Sequence, residues 1–132
     1  MCNQKTRRMK RTNIADVCVE LVDNWHACWP DVLAAIAEQG DLEALNIDAD
    51  GWLSARQVLL AAFDRDGEVA GHMCFRLTPD ADSRGNVGID AHVEAFGVQP
   101  GSQAEKIASA LKAAALARAK ALRCRQIVGL SA

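Results

Sequence analysis

The chain has no tyrosine and few aromatic residues, three Trp and three Phe among 132 residues. It has no run of about 18 apolar residues, the length that a membrane-spanning helix needs. Its basic amino-terminal stretch is not followed by the apolar segment of a secretory signal. We therefore expect a cytoplasmic protein that does not bind a membrane.

The five cysteines are scattered along the chain and are never spaced as C-x-x-C. A disulfide framework or a structural zinc site has paired or closely spaced cysteines. We expect reduced, mostly buried thiols and no bound metal.

The chain also lacks a strong charge of either sign, with a net charge of −2. Such a balance gives no general attraction to nucleic acid. Two segments are basic. The first is KTRRMKR, residues 5–11, which we interpret as part of a flexible tail of residues 1–13. The second is the end of the long helix, with Arg118, Lys120 and Arg123, where cations complement the helix macrodipole. A nucleic-acid-binding module using the amino-terminal tail is one alternative, supported by that tail alone. Residues 14–132 are predicted to form one domain.

Apolar periodicity and turn residues predict the order β-α-α-β-β-β-α-β. The fold class is α/β (α+β), with a mixed, mostly antiparallel sheet of about five strands flanked by helices. Pro30 suits the start of the first long helix and Gly40 its end. The pair Asp66-Gly67 predicts a hairpin. Alternation over residues 87–98 predicts a strand, and the final strand is expected to lie parallel to it after a helix over residues 103–122.

The stretch VEAFGVQPGSQAEKIASAL, residues 93–111, together with this element order resembles the GNAT superfamily of acyl-CoA-dependent N-acyltransferases. In that family an apolar strand ends in a Val-x-Pro-like step, and a loop of the form Q/R-x-x-G-x-G/A opens the next helix. The matching residues are Val98-Gln99-Pro100 and then Gln103 to Ala108. The resemblance implies acetyl-CoA as co-substrate and an amine, on a small molecule or a peptide, as acceptor.

The first turn of a helix offers backbone N–H groups and partial positive charge, both suited to a diphosphate. Lys106 stands where the family has a glycine. An alternative is that Ser102 and Glu105 form a capping box that occupies the same amides. By resemblance, the strand end would bind pantetheine and the helix start the pyrophosphate, through Phe96, Gly97, Val98, Gln103, Ala104, Glu105, Lys106, Ile107 and Ala108.

Two titratable side chains precede Val98 on one predicted strand face, together with Asp90 and Phe96. By resemblance to the family, Glu94 and then His92 would take the proton of the attacking amine. The alternative is that they line a solvent-exposed face. The family's tyrosine, which protonates the leaving thiolate, has no counterpart here.

Trp25 and Trp29 are spaced by one helical turn and would form an aromatic wall at the acceptor site, or else serve as core anchors. The sequence therefore predicts an N-acyltransferase, with a catalytically silent, dimeric GNAT-like binding or regulatory module as the alternative. A homodimer formed through the exposed carboxy-terminal strand is expected. The acceptor itself is not identified by the sequence.

Overall fold

The computed structural model describes residues 17–81 and 83–130. The predicted basic tail lies outside these residues. The elements are β1 (Cys18–Val22), α1 (Trp29–Glu38), a 3₁₀ turn (Leu42–Ala44), β2 (Gln57–Phe63), β3 (Val69–Ala81), β4 (Val87–Val98), α2 (Ala104–Ala121) and β5 (Gln126–Val128).

The five strands form one sheet in the order β1-β2-β3-β4-β5. The first three pairings are antiparallel and β4 pairs with β5 in parallel. A parallel pairing needs a crossover connection, which α2 supplies with 18 residues. The mixed fold and the antiparallel meander are thereby confirmed.

The sheet carries a core on each face. On one face Leu111 and other residues of α2 cover residues of β2, β3 and β4, including Leu60, Phe75 and Ala91. On the other face α1 contributes Val32 and Ile36. Every residue of β2 is buried, because this strand is covered on both faces and reads as a continuous apolar run.

Helix α1 begins beside Pro30 and ends as Gly40 predicts. Gly40 has a φ of 80°, and the backbone N–H of Asp41 donates to the carbonyl of Ile36 at 3.1 Å. This is the 6→1 bond of a Schellman motif, in which glycine accepts the left-handed conformation at little cost. The motif places Asp41 against the sheet below the helix.

The cysteines depart in one case from the expectation. Cys18, Cys74 and Cys124 are free thiols, but Cys28 is disulfide-bonded. The expectation of five reduced thiols is therefore wrong for Cys28, since spacing along the sequence does not show which distant cysteines meet. Within the described part of the chain, no helix is both long and apolar enough to cross a membrane.

Candidate functional site

The first feature of the site is the separation of β4 from β5. The two strands pair only from Asp90–Gln126 to His92–Val128, whereas β4 continues to Val98. Gly129, with a φ of 91°, follows β5 directly, and a Cβ built there would lie 3.3 Å from the Cβ of Val93. The last six residues of β4 therefore have no β5 partner, and their edge borders a gap in the sheet.

A β-bulge at Glu94 determines which side chains of β4 point toward α1 and which point toward α2. Cys74 pairs with Ala95 and Phe75 with Val93, so Glu94 is the extra residue. Ala95 accordingly packs in the α1-side core, while Val93 packs on the α2 side. An extra residue reverses the alternation of a strand.

The predicted grouping of Phe96 with His92 and Glu94 is consequently wrong. Phe96 lies on the α2 side, where the Lys112 ammonium is 5.8 Å from its ring centre. His92 and Glu94 remain together on the α1 side.

Glu94 is held by two neighbouring side chains. Its carboxylate accepts hydrogen bonds from Gln57 Nε2 and from Arg76 Nε, each at 2.9 Å. Partial burial raises the pKa of Glu94, but the bonds from Arg76 and Gln57 outweigh it, so the net pKa is lowered. Glu94 is thus a firmly ionised carboxylate and a weak proton acceptor.

His92 is half-buried and lies between two carboxylates. An imidazolium at this position would favour the ionised forms of both neighbours and is one of the causes that lower the pKa of Glu94 and of Asp90. Asp90 is buried, and its lowered pKa follows first from the hydrogen bond that Arg125 donates. The Arg125 guanidinium contacts both carboxylate oxygens at 3.2 Å and so ties the start of β5 to β4.

The second feature is the start of α2. Gln103 is the N-cap residue, and no side chain caps the helix. The Ala104 N–H donates instead to the Gly101 carbonyl at 3.2 Å. The capping box of Ser102 and Glu105 is therefore not formed, because the helix begins one residue later than that motif requires.

A cavity of about 270 Å³ adjoins this helix start. Of the residues predicted to bind the cofactor, Gln103, Ala104 and Ile107 line it. Glu105 and Lys106 are exposed on the first turn, and Ala108 is half-buried. The Asp64 side of the β2–β3 hairpin forms the opposite wall.

Gly97 is required by its neighbours. A Cβ at this position would lie 2.6 Å from Cε1 of the buried His72 ring. His72 Nε2 is 2.8 Å from Asp41 Oδ2, yet burial outweighs this bond and lowers the pKa of His72. A neutral imidazole thus packs directly beneath the strand end assigned to pantetheine.

The tryptophans are arranged differently from the predicted wall. Trp25 precedes α1 and packs edge-to-face against Trp52, with ring centres 5.3 Å apart. Trp29, the first residue of α1, is half-buried against the α1-side core. The spacing of four residues predicts one helical turn between the two tryptophans. Instead the chain turns at Asp23, whose side chain accepts the backbone N–H of Trp25 at 2.9 Å.

A further feature is the arrangement of potential metal ligands and thiols among the described side chains. In the described residues no group of three or more His, Cys, Asp or Glu is arranged to hold a metal ion. Burial raises the pKa of Cys74 to about 12, so this thiol is neutral and unreactive at neutral pH.

Sequence reasoning missed Gln57, Arg76 and Trp52. Arg76 lies on the same face of β3 as His72 and Cys74. A charged residue on this otherwise buried face indicates a charged partner on a neighbouring strand, here Glu94. Gln57 and Trp52 gave no such signal, because their contacts join segments far apart in the chain.

A sequence profile of the Acetyltransferase (GNAT) family matches residues 17–131. The chain belongs to the GNAT acetyltransferase family. Enzymes of this family use acetyl-CoA as acyl donor. A search of curated protein sequences finds no match.

Solved structures share the GNAT fold with this chain. One is an aminoglycoside acetyltransferase from an uncultured soil metagenomic sample, with a TM-score of 0.66 and 16% identity over 86% of this chain and 78% of that one. A ribosomal-protein-alanine N-acetyltransferase from Brucella melitensis biovar Abortus 2308 has a TM-score of 0.60 and 18% identity over 86% and 79%. AAC(6')-Iy, in complex with the bisubstrate analogue CoA-S-monomethyl-acetylneamine, has a TM-score of 0.55 and 15% identity over 86% and 78%.

Proposed function

We propose that this GNAT protein transfers an acyl group, in the simplest case acetyl, from acyl-CoA to an amine acceptor. The observation that carries the proposal is the uncapped start of α2, which adjoins a cavity bounded by residues 99–104 and the β2–β3 hairpin. Beyond His92, β4 also has no β5 partner. Backbone amides without side-chain partners at a helix start suit a diphosphate. The free edge of β4 suits an extended chain with amide groups, such as pantetheine.

Two parts of the chain are proposed to hold the coenzyme. The backbone of Phe96, Gly97 and Val98 would hold the pantetheine arm, and the first turn of α2 the pyrophosphate. Lys106 offers positive charge on that turn, whereas Glu105 and Asp64 place carboxylates near it. When bound, acyl-CoA supplies the activated acyl group, and all proton handling falls to the chain itself.

The proton acceptor we propose is His92 rather than Glu94. The neutral amine nitrogen bonds to the thioester carbonyl carbon, the C–S bond breaks, sulfur leaves as thiolate and the amine's proton passes to His92. Glu94, held ionised by Arg76 and Gln57, would stabilise the resulting imidazolium. A thiol with an ordinary pKa of about 8.5 leaves without a phenol donor, consistent with the absence of tyrosine.

The test combines ligand binding with turnover. Acetyl-CoA at 1 mM should stabilise the protein by about 2.7 kcal/mol if its Kd is roughly 10 μM. This corresponds to a rise of several degrees in melting temperature. His92→Gln should keep that rise and lower kcat by on the order of 100-fold. Glu43→Gln, on the 3₁₀ turn, serves as the exposed-carboxylate control and should change neither quantity.

The outcomes separate the two candidate functions. A thermal shift without turnover of any amine would favour the silent binding module, which the weakly basic Glu94 and the absent tyrosine also favour. No shift at all would overturn the proposal of acyl-CoA binding. Loss of the shift in His92→Gln would show that His92 supports the fold rather than the reaction.

A further inference from the structure

The chain carries an exposed aromatic pair that its core does not need. The side chain of Trp25 is 74% exposed and that of Trp52 is 49% exposed. Their rings meet at 79°, edge to face. Such a contact adds only about 0.5–1.5 kcal/mol beyond burial, and two large apolar rings left in water are a common sign of a binding surface.

Trp52 stands at the tip of a small hairpin of residues 46–54, whose base is tied to the proposed reaction centre. Trp25, from the segment before α1, packs against it. Ser54 N–H donates to the Asn46 carbonyl at 2.8 Å, and Asp48 N–H donates to the Trp52 carbonyl at 3.0 Å. At the base, Asn46 N–H donates to Gln57 Oε1 at 2.6 Å. The same Gln57 side chain donates to Glu94. Trp52 is two residues from Ser54, the residue that pairs with Asn46 at this base. At the usual rise of a strand, two residues separate Trp52 from the base by roughly 7 Å.

The segment that carries both tryptophans is acidic, and the first basic residue after it is Arg56. Residues 17–55 contain eight carboxylates and no Lys or Arg, so the rest of the chain carries a net +6 within a total of −2. Two of the eight are paired with histidine, Glu20 with His26 and Asp41 with His72. The other six are exposed: Asp23, Asp31, Glu38, Glu43, Asp48 and Asp50.

Local turns tie two of these carboxylates, those of Asp23 and Asp48, to the backbone of the tryptophans. Asp23 Oδ1 accepts the backbone N–H of Trp25 at 2.9 Å, and Asp48 Oδ1 accepts the backbone N–H of Trp52 at 3.0 Å. Asp48 Oδ1 also accepts the N–H of Asp50 at 2.9 Å. An indole face beside carboxylates suits an organic cation, which gains both the ring quadrupole and the opposite charge.

Resting on the proposed function, we propose that the Trp25–Trp52 pair binds a second cationic centre of the acceptor. The acceptor is then a small polycation: one amine, deprotonated, reacts beside His92 while an ammonium group several ångströms away is held at the tryptophans. A linear polyamine and a multiply aminated sugar share this chemistry. The acidic surface would concentrate either one near the site.

The experiment measures binding and turnover separately. Spermidine and neamine serve as probes, and butylamine, which has a single amine, serves as their control. Isothermal titration in the absence of acetyl-CoA reports binding whether or not the protein catalyses transfer. Wild type should bind at least one polycation, with an affinity that falls as salt is raised.

Trp52→Ala should weaken that affinity, and raise the corresponding KM, by about 3- to 30-fold. It should leave the acetyl-CoA thermal shift and the butylamine KM unchanged. Asp48→Asn, which keeps the turn's acceptor oxygen but removes its charge, should weaken polycation binding in the same direction. Leu116→Ala, another exposed apolar side chain, and Asp66→Asn, in the other hairpin, are the controls and should have no effect.

Each result bears on a specific part of the proposal. Preference for spermidine or for neamine decides between the two sources of cation. Equal affinities of wild type and Trp52→Ala for both probes would overturn the aromatic site, even if the protein acetylates them. Binding of a Lys-rich peptide, but of neither small probe, would also overturn it, since a macromolecular partner would then be the occupant. Polycation binding without turnover would preserve this site and reject the acyltransferase.

Discussion

At the scale of single residues, the site depends on which carboxylates stay ionised as the pH falls. Glu94 follows Val93 in a bulge, and this one-residue irregularity brings it beside Arg76 and Gln57. The sequence predicted that His92 and Glu94 share a face, as they do. It could not predict the bulge, because one extra residue leaves the apolar alternation of the flanking segments intact, and so Phe96 was assigned to the wrong face.

The lowered pKa of Glu94 makes stability depend on pH in a defined direction. A carboxyl whose pKa is lower in the folded than in the unfolded state stabilises the fold above its unfolded pKa of about 4.3, and this contribution is lost as pH falls through the folded pKa. Arg76→Met removes the strongest favourable partner and should reduce the free energy of unfolding at pH 7 by about 0.5–1 kcal/mol. Below pH 4 the difference from wild type should shrink.

Urea unfolding at pH 7, 5, 4 and 3.5 measures this difference. Arg118→Met is a suitable control, since Arg118 makes no ion pair with any described residue. Its effect should not vary with pH in this range. A pH-independent effect of Arg76→Met would mean that the arginine acts through packing and not through the charge of Glu94.

At the scale of elements, sequence patterns were strongest where the signal was local. The alternation over residues 87–98 matches β4 at both ends, and Gly40 marks the end of α1. The start of α2 shows the limit of a local motif. Ser102 and Glu105 have capping-box spacing, but the chain turns at Gly101, which leaves Gln103 as N-cap. The Trp25–Trp52 contact joins segments 27 positions apart, and no periodicity reports such a contact.

The first turn of α2 gives a prediction in which two effects have opposite signs. Glu105 is exposed on that turn. Its negative charge stabilises the helix by interacting with the positive end of the macrodipole, but the same charge repels a diphosphate. Glu105→Gln should therefore lower the free energy of unfolding without ligand by about 0.3–1 kcal/mol. It should also tighten acetyl-CoA binding by up to about fivefold, from a repulsion of about 1 kcal/mol at partly exposed distances.

Isothermal titration with acetyl-CoA and urea unfolding of the free protein test both effects. Glu38→Gln, in the last turn of α1, removes an exposed helical carboxylate far from the α2 start in the chain and should not alter the affinity. An unchanged Kd for Glu105→Gln would show that the coenzyme's diphosphate does not lie at the first turn of α2.

At the scale of the whole molecule, the described sheet ends in β5, a strand of only three residues. The side of β5 away from β4 has no strand partner among the described residues. Unpaired strand edges invite pairing with another chain. Val128 is 40% exposed there, which adds apolar surface to that edge. We propose that a second copy covers β5 and forms a two-fold symmetric dimer.

Light scattering at about 10 μM protein should then give twice the chain mass of 14.2 kDa. Val128→Lys places a charge on the β5 edge and should shift the protein to monomer. Leu21→Lys changes β1, the outer strand at the opposite end of the sheet, where Leu21 is 46% exposed, and should remain dimeric. The pair of variants distinguishes the two edges, because dissociation by Leu21→Lys alone would place the interface on β1. A wild-type protein that is monomeric at this concentration would contradict the dimer. The proposed acyl-CoA and polycation sites use residues of one chain only, so neither proposal would be affected.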